Sequence, residues 1–342
     1  MQNTTIAVDI AKSVFEIAVS TRPGTVAERI RLSRPRFLEF FAQREASVVL
    51  LEACGSAHYW ARRLQELGHQ VRLLPPHEVS PYVTRNKTDR NDAKALLEAS
   101  RNQEIRPVPV KSVPQHTLMA LHRLRSAWLA ARTARLNTVR GLLRELGFVI
   151  PVGARQVVPR VQELVEDPES GLPDALRGPF SEALDEIVRL EARIRDVERR
   201  LEHLARQLPV VGRLRTVPGI GLLTATALVA FVGDVTRFPS GRHFASYLGL
   251  TPSERSSALR RRLGAISKRG NTYLRMLLSH GARAVLIRAN NDEHDRLRSW
   301  ARQIQQHRGH NKATIALANK LARIAWAVWK KEGTYRAHDV AA

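Results

Sequence analysis

The sequence predicts a mixed α/β layer at its N-terminal end, a middle of long coiled-coil helices, and a mostly α C-terminal part. Three observations lead there. Short apolar runs alternate with helically spaced segments as far as Pro75-Pro76, the pattern of a layered α/β unit. Apolar residues then recur at three-four spacing in two separate long stretches, as packed helices require. Beyond them helical spacing resumes between glycine turns. The divisions drawn on this basis are residues 1–106, 107–210 and 211–342.

Thr5 to Ile10 is a buried strand interrupted by one carboxylate, Asp9. Phe15 to Ser20 follows after a short turn, and Val26 to Leu32 can pair as a third strand, giving a meander. Pro35 to Arg44 has helical spacing through Phe37, Leu38 and Phe41. Ser47 to Glu52 is another apolar strand, again ending on a carboxylate. Gly55 and Ser56 turn the chain, and Ser56 is placed to cap a helix carrying Trp60, Ala61, Leu64 and Leu67. Gly68 ends that helix, and Gln70 to Leu74 makes a further strand. A mixed sheet follows from this order.

From Pro114 a long helix is marked by Leu118, Leu121, Trp128, Leu136, Val139 and Leu143, with arginines between them, and Gly147 closes it. Phe148 to Phe180 holds Pro151, Pro159, Pro168, Pro173 and Pro179, and is expected to be a connection with at most short helices. Leu184, Ile187, Leu190, Ile194, Val197 and Leu201 mark the second long helix. An antiparallel coiled coil of the two is the simplest packing, with a dimer zipper as the alternative. Val217-Pro218-Gly219-Ile220-Gly221 then resembles the hairpin of a helix-hairpin-helix motif, whose backbone N–H groups approach phosphate at a helix N-terminus. An ordinary glycine turn between packed helices explains the same residues. It is not a dinucleotide fingerprint, because the third glycine is missing at the required spacing. The helices starting near Asn271 and Lys312 read as core helices.

Lys and Arg number 55 against 32 Asp and Glu, a formal charge of +23. Such an excess calls for a polyanionic partner, and nucleic acid is the first expectation. No apolar run is long enough to span a bilayer, and the start lacks the charged and apolar regions of a signal peptide. A cytoplasmic protein with no membrane partner is expected. Cys54 is the one cysteine, which excludes a disulfide framework and Cys-type zinc sites. The histidines, His307 and His310 included, have no acid or Cys cluster beside them and are not read as zinc ligands.

Two features carry chemistry. In Lys87-Thr88-Asp89-Arg90-Asn91-Asp92-Ala93-Lys94 two carboxylates stand three residues apart at a helix start, on one face. Their repulsion would be relieved by a hard divalent cation. Asp9 and Glu52 lie in or at the end of apolar strands, where an acid is costly unless paired or metal-bound. Open α/β sheets gather their sites at the carboxyl ends of strands. Asp9, Glu52, Asp89 and Asp92 together suit metal-assisted phosphoryl transfer. The second feature is Ser253 to Asn271, with Arg255, Arg260, Arg261, Arg262, Lys268 and Arg269 against one acid, Glu254. Ser256 and Ser257 lie among them. A serine there can attack a phosphodiester while arginines stabilise the charge on phosphorus; such serines also serve simply to bind phosphate.

These residues resemble the Insertion Sequence 110 family of transposases, the DEDD-type recombinases, nearly end to end. The resemblance rests on Ala7-Val8-Asp9, Leu51-Glu52 and Lys87 to Ala93, and on Val217 to Gly221, Ala245 to Pro252 and Ile266 to Asn271. It implies a RuvC-like, RNase H-fold N-terminal domain and a C-terminal domain with a catalytic serine. It implies Asp9, Glu52, Asp89 and Asp92 as the acids that bind Mg2+ (or Mn2+), and Ser257 as the residue that joins covalently to DNA, with Ser256 as the alternative. Relatives commonly carry a glycine pair after the serine; here Ala258-Leu259 stands there. Lys87, Arg90, Arg260, Arg261, Arg262, Lys268 and Arg269 are the expected nucleic-acid contacts. The partners implied are DNA, a structured guide RNA suited to the arginine-rich helices, and further copies of the chain in a dimer or tetramer. Two alternatives remain at this level: a metal-dependent nuclease of the junction-resolving kind that uses water, and an inactive nucleic-acid-binding relative.

Overall fold

Strict alternation of side chains along the N-terminal strands decides what each face of the sheet buries. In a computed structural model describing residues 4–83, 88–257, 260–288 and 295–336, β1 (Thr5–Ile10), β2 (Val14–Ser20) and β3 (Glu28–Ser33) form the expected antiparallel meander. After α1 (Phe37–Ala42), β4 (Val48–Glu52) pairs parallel with β1. After α2 (Ala57–Glu66), β5 (Gln70–Leu74) pairs parallel with β4. The order across the sheet is β3-β2-β1-β4-β5. α3 (Pro76–Val79) and α4 (Asp89–Ala99) follow.

One face takes Ile6, Val8, Phe15, Ile17 and Leu51 and packs them on Phe37, Phe41, Trp60 and Leu64 of α1 and α2. The edge-to-face rings of Phe15, Phe37 and Trp60, with centroids 4.6–5.2 Å apart, close that core. The other face takes Ala7, Ala18, Leu50 and Leu74 and packs them on Ala93 and Leu96 of α4. Small alanines on this face let α4 lie close. Ser56 does occupy the position before α2, but makes no capping bond with its side chain and has φ 66°. The expected cap is therefore replaced by a left-handed turn, a conformation costly for a residue other than glycine. Beyond α4, Val108 bridges back to Leu73, and the first compact unit runs from Met1 to Val113.

The second unit, Pro114–Ala342, is built almost wholly from helices. α5 (Val113–Glu145) and α7 (Asp174–Arg206) run antiparallel, as the partners of successive arginines show. Arg125 meets Glu198, Arg132 meets Glu191 and Arg135 meets Glu186, the numbers falling on one helix as they rise on the other. The stretch between them corrects the sequence expectation. It holds α6 (Ala154–Glu166), a helix of 13 residues with Pro159 inside it, whose Val157, Val161 and Leu164 complete a three-helix core with Leu136, Val139, Leu143, Leu184 and Ile187. Pro179 likewise sits inside α7 rather than before it. At the sixth position of α7 it leaves the Ala175 carbonyl without its intrahelical donor, a cost offset by the packing of Phe180 and Leu184 into the three-helix core. The Arg177 guanidinium donates to the carbonyls of Leu164, Val165, Asp167, Pro168 and Leu172, tying the turn between α6 and α7.

The rest of the unit is α8 (Pro209–Arg215), α9 (Leu222–Val232), α10 (Gly241–Tyr247), a hairpin of β6 (Pro252–Glu254) and β7 (Leu263–Ile266), then α11 (Thr272–Ile287), α12 (Arg296–Arg308) and α13 (His310–Lys330). No helix among the described residues is long and apolar enough to cross a membrane.

A titratable side chain is buried within this helical unit. His122 on α5 is fully buried, with Nε2 3.0 Å from Thr226 Oγ1 and Nδ1 3.0 Å from Tyr273 Oη. The Thr226 hydroxyl donates to the Leu222 carbonyl at 2.6 Å. Its oxygen therefore accepts from Nε2–H, and Nδ1 accepts from the tyrosine hydroxyl, which fixes a neutral imidazole. Burial, helped by Arg125, pushes this histidine down to about 4. Its ordinary value is near 6.5. The folded state thus binds fewer protons than the unfolded chain between those values, and the contribution is complete above about 6.5 and lost as pH falls towards 4. Denaturant titrations should show stability falling by about 2–3 kcal/mol across that window, and His122→Gln should flatten the slope.

Candidate functional site

The acids gather by the same alternation that builds the sheet. Ala7 and Leu50 face α4, so Asp9 and Glu52, each two residues further along neighbouring parallel strands, face the same way. α4 starts at Asp89, with the Thr88 side chain accepting from Asn91 N–H, and places Asp89 and Asp92 in its first turn. Burial pushes the Asp9 carboxyl up to about 6, with Asp89, Asp92, Glu52 and Glu16 adding to the rise in that order. Glu16 faces Asp9 across the β1–β2 ladder and pairs with Arg31 at 3.1 Å. The other three acids that raise Asp9 are those singled out from the sequence.

Among the described residues, no three Asp, Glu, His or Cys groups already converge closely enough to hold a metal ion. The donor chemistry nevertheless fits one. The set is all oxygen, which hard divalent cations take. It is half-buried at Asp9, Glu52 and Asp92. Its members repel one another, which opposes closer approach until a cation cancels the repulsion. Lys87 lies outside the described residues. Arg90 is exposed on α4, and its carbonyl accepts from Arg29 Nη1 at 3.2 Å.

The serine region is more ordered than a basic loop. β6 and β7 pair as an antiparallel hairpin, and reciprocal backbone hydrogen bonds join Ser257 and Arg260 at 3.3 and 3.1 Å. The strands are short and exposed, so no apolar alternation announces them. Ser256 Oγ–H donates to Glu254 at 2.6 Å and its oxygen accepts from Arg262 N–H at 3.2 Å. Glu254 also meets Arg261 at 3.4 Å, and these two partners hold its carboxyl below the usual range. Ser257 is exposed, and its hydroxyl has no partner among the described residues. Ala258 and Leu259 lie outside them. Arg260, Arg261, Arg262, Lys268 and Arg269 are all exposed around the hairpin and the turn that follows it.

What holds this hairpin is a pair of glycine turns that the sequence marks only as motifs. The Lys268 N–H donates to Gly249 O at 3.2 Å and the Ser267 N–H to Thr251 O at 2.8 Å. Gly249 and Gly270 have φ of 70° and 76°, and a Cβ on either would collide with backbone, at Arg269 and Tyr247 respectively. Arg275 Nη1 clamps the pair by donating to Leu248 O at 3.1 Å and Arg269 O at 2.9 Å. Neither Glu254 nor Arg275 was read from sequence as part of the site, since a lone acid and a helix arginine carry no spacing signal. Gly270→Ala should lower stability by about 2–4 kcal/mol, seen as a lower unfolding temperature, whereas Gly264→Ala should cost less because only the Ser253 side chain is in its way.

The Thr216 to Gly221 turn joins α8 and α9 as a hairpin. Gly219 has φ 79°, and a Cβ there would come 2.7 Å from the Gly281 carbonyl on α11. Its space is thus filled by a neighbouring helix, the packing alternative drawn from the sequence.

Comparison with known proteins agrees with these features at both ends of the chain. A transposase family model of the DEDD, IS110 type matches residues 6–148. A model described as "Transposase IS116/IS110/IS902 family" matches residues 211–298. A "Probable family 20 transposase" of Pseudomonas aeruginosa is 44% identical over 98% of this chain and 99% of its own length. The transposase for insertion sequence element IS1111A of Coxiella burnetii is 36% identical over 97% and 91%, and that for IS1328 of Yersinia enterocolitica 35% over 95% and 96%. With the acidic unit and the serine hairpin each inside a matched segment, the chain belongs to the IS110 family of transposases.

Proposed function

We propose that this transposase exchanges DNA strands through a covalent phosphoserine intermediate formed by Ser257, with Asp9, Glu52, Asp89 and Asp92 as its metal-binding acids. The observation that carries the reading is the placement of Asp9 and Glu52 on the sheet face that packs against α4, whose first turn holds Asp89 and Asp92; burial, and then these neighbours, push Asp9 up. A chain that needed only a folded sheet would gain by losing those charges. The strand order, with a meander followed by two parallel strands, supports reading the first unit as a RuvC-like RNase H fold. Functionally we keep three parts, 1–106, 107–210 and 211–342.

Ser257 Oγ attacks the scissile phosphorus. The Oγ–P bond forms, the bond from phosphorus to the 3′ oxygen breaks, and the serine proton is passed on to that oxygen to give a 3′-hydroxyl. Arg260, Arg261 and Arg262 stabilise charge on the phosphoryl oxygens. Glu254 keeps Ser256 engaged, which leaves Ser257 as the available hydroxyl. A bound Mg2+ (or Mn2+) would supply Lewis-acid polarisation of the phosphate at the four acids. In the return step the 3′-hydroxyl of an exchanged strand attacks the phosphoserine, the serine leaves and takes back a proton, and the strand is resealed. The serine ester conserves the bond that hydrolysis would lose, so no external energy source is required. Gly221, at the start of α9, is a backbone phosphate contact in the helix-hairpin-helix reading. A structured guide RNA on the arginine-rich helices, and a dimer or tetramer, complete the working unit.

The test is a denaturing gel of DNA recovered from cells expressing the chain within its native flanking DNA. Protein-linked strands that depend on divalent cation support the reading. Clean hydrolytic nicks, never protein-linked, would replace it with the water-using nuclease.

A further inference from the structure

Among the described residues, α13 leaves one face uncovered. Leu317, Leu321 and Ala325 pack into the helical core. Away from these, Lys312, Lys320 and Arg323, with Lys331 just past the end of the helix, line an open groove of about 1710 Å³. From Lys312 to Lys331 that face runs about 28 Å at 1.5 Å per residue, the length of a strand of several nucleotides. Trp300 on α12 and Trp326 on α13 line the same groove. Both rings are held in place: Trp326 Nε1 donates to Phe238 O at 3.2 Å, and Lys320 Nζ stands 4.3 Å from the Trp300 ring centre. Burial and the nearby Arg323 hold Lys320 below the usual lysine range, a cost that an approaching anion would relieve. Among the described charged residues lining the groove, Glu332 is the one acid against six Lys and Arg. The groove is bordered by Gly264, Ala265 and Ile266 of β7, the strand whose hairpin carries Ser257.

We propose that this groove holds an unpaired DNA strand, the segment running on from the phosphodiester offered to Ser257. The proposal rests on the serine reading above for its choice of DNA. Cations along one helix face track phosphates, and fixed aromatic rings take the faces of bases. Stacking on rings set in a groove requires bases already out of a duplex, which favours a single strand. An apolar peptide would cover the same surface but leave six cations without counter-charge.

The experiment uses the full chain and a fluorescein-labelled twelve-nucleotide oligodeoxythymidylate, followed by polarisation. Lys312→Gln, Arg323→Gln and Lys331→Gln combined should weaken binding at least about tenfold, and should reduce the salt slope by about two, at 0.7 per lost phosphate contact. Arg36→Gln, Arg44→Gln and Arg63→Gln combined make the same charge change on the α1–α2 face and should alter neither. An oligonucleotide carrying 5-iododeoxyuridine should photocrosslink to Trp300 or Trp326. Equal losses in both triple variants, crosslinks mapped away from α12 and α13, or a loss confined to an RNA of the same length would each overturn the proposal. A protein–DNA adduct without groove crosslinks removes the groove alone. Groove crosslinks without any adduct keep the strand site and remove the serine reading.

Discussion

Ser257→Ala is expected to abolish protein–DNA adducts, lowering strand transfer by at least about 10⁴-fold, the scale seen when a nucleophile is removed from a catalytic set. The loss should leave folding untouched. Ser257 is exposed at a hairpin tip, and its hydroxyl has no partner among the described residues, so the change should stay within about 0.5 kcal/mol. Ser256→Ala should behave differently. It removes a hydroxyl that links Glu254 to the Arg262 N–H, so the hairpin loosens and activity falls by roughly tenfold, about 1.4 kcal/mol, with adducts still formed. A denaturing gel beside a thermal melt separates the two. Adducts that persist in the Ser257 variant and vanish in the Ser256 variant would reassign the nucleophile.

Asp9→Asn should move activity and stability in opposite directions. The amide keeps the shape and removes the charge that burial and the neighbouring acids oppose. The metal-free protein should become more stable at neutral pH, by about 1 kcal/mol once solvent screening of this half-buried group is allowed for. Strand cleavage should fall by about 10³-fold or more if, as proposed, Asp9 belongs to the metal-binding acid set. Added Mg2+ should raise the unfolding temperature of the parent chain and leave that of the variant nearly unchanged. A variant that is no more stable without metal, yet as active as the parent, would show that Asp9 is a strand residue and nothing else.

Much of the first unit was legible because its signals are local. Apolar alternation around Ala7 and Leu50 fixes which way Asp9 and Glu52 face, and Thr88 marks the start of α4 directly before Asp89 and four residues before Asp92. The paired long helices were legible too, since their heptads repeat over many turns. What stayed hidden depended on distant partners. α6 was obscured by Pro159, whose cost is met by the core that Val157, Val161 and Leu164 share with two other helices. Ser56 reads as a cap, but its backbone is left-handed, and no local pattern reports that. The β6–β7 hairpin is held by Gly249, Gly270 and Arg275, residues separated in sequence and joined only when two turns stack. The groove on α13 escaped notice because Trp326 falls on a helix that reads as core, and Trp300 lies in a stretch that carries no sequence signal of its own.

The acids and the serine are claimed to serve one phosphodiester, and the residue that carries the DNA decides it. Mass spectrometry of the nucleotide-bearing peptide from trapped adducts is expected to place the 5′-phosphate on Ser257 Oγ, with adduct yield lost in Asp9→Asn and on chelation of divalent cations. A phosphate on any other side chain, or an undiminished yield without the acids and cation, would contradict the account.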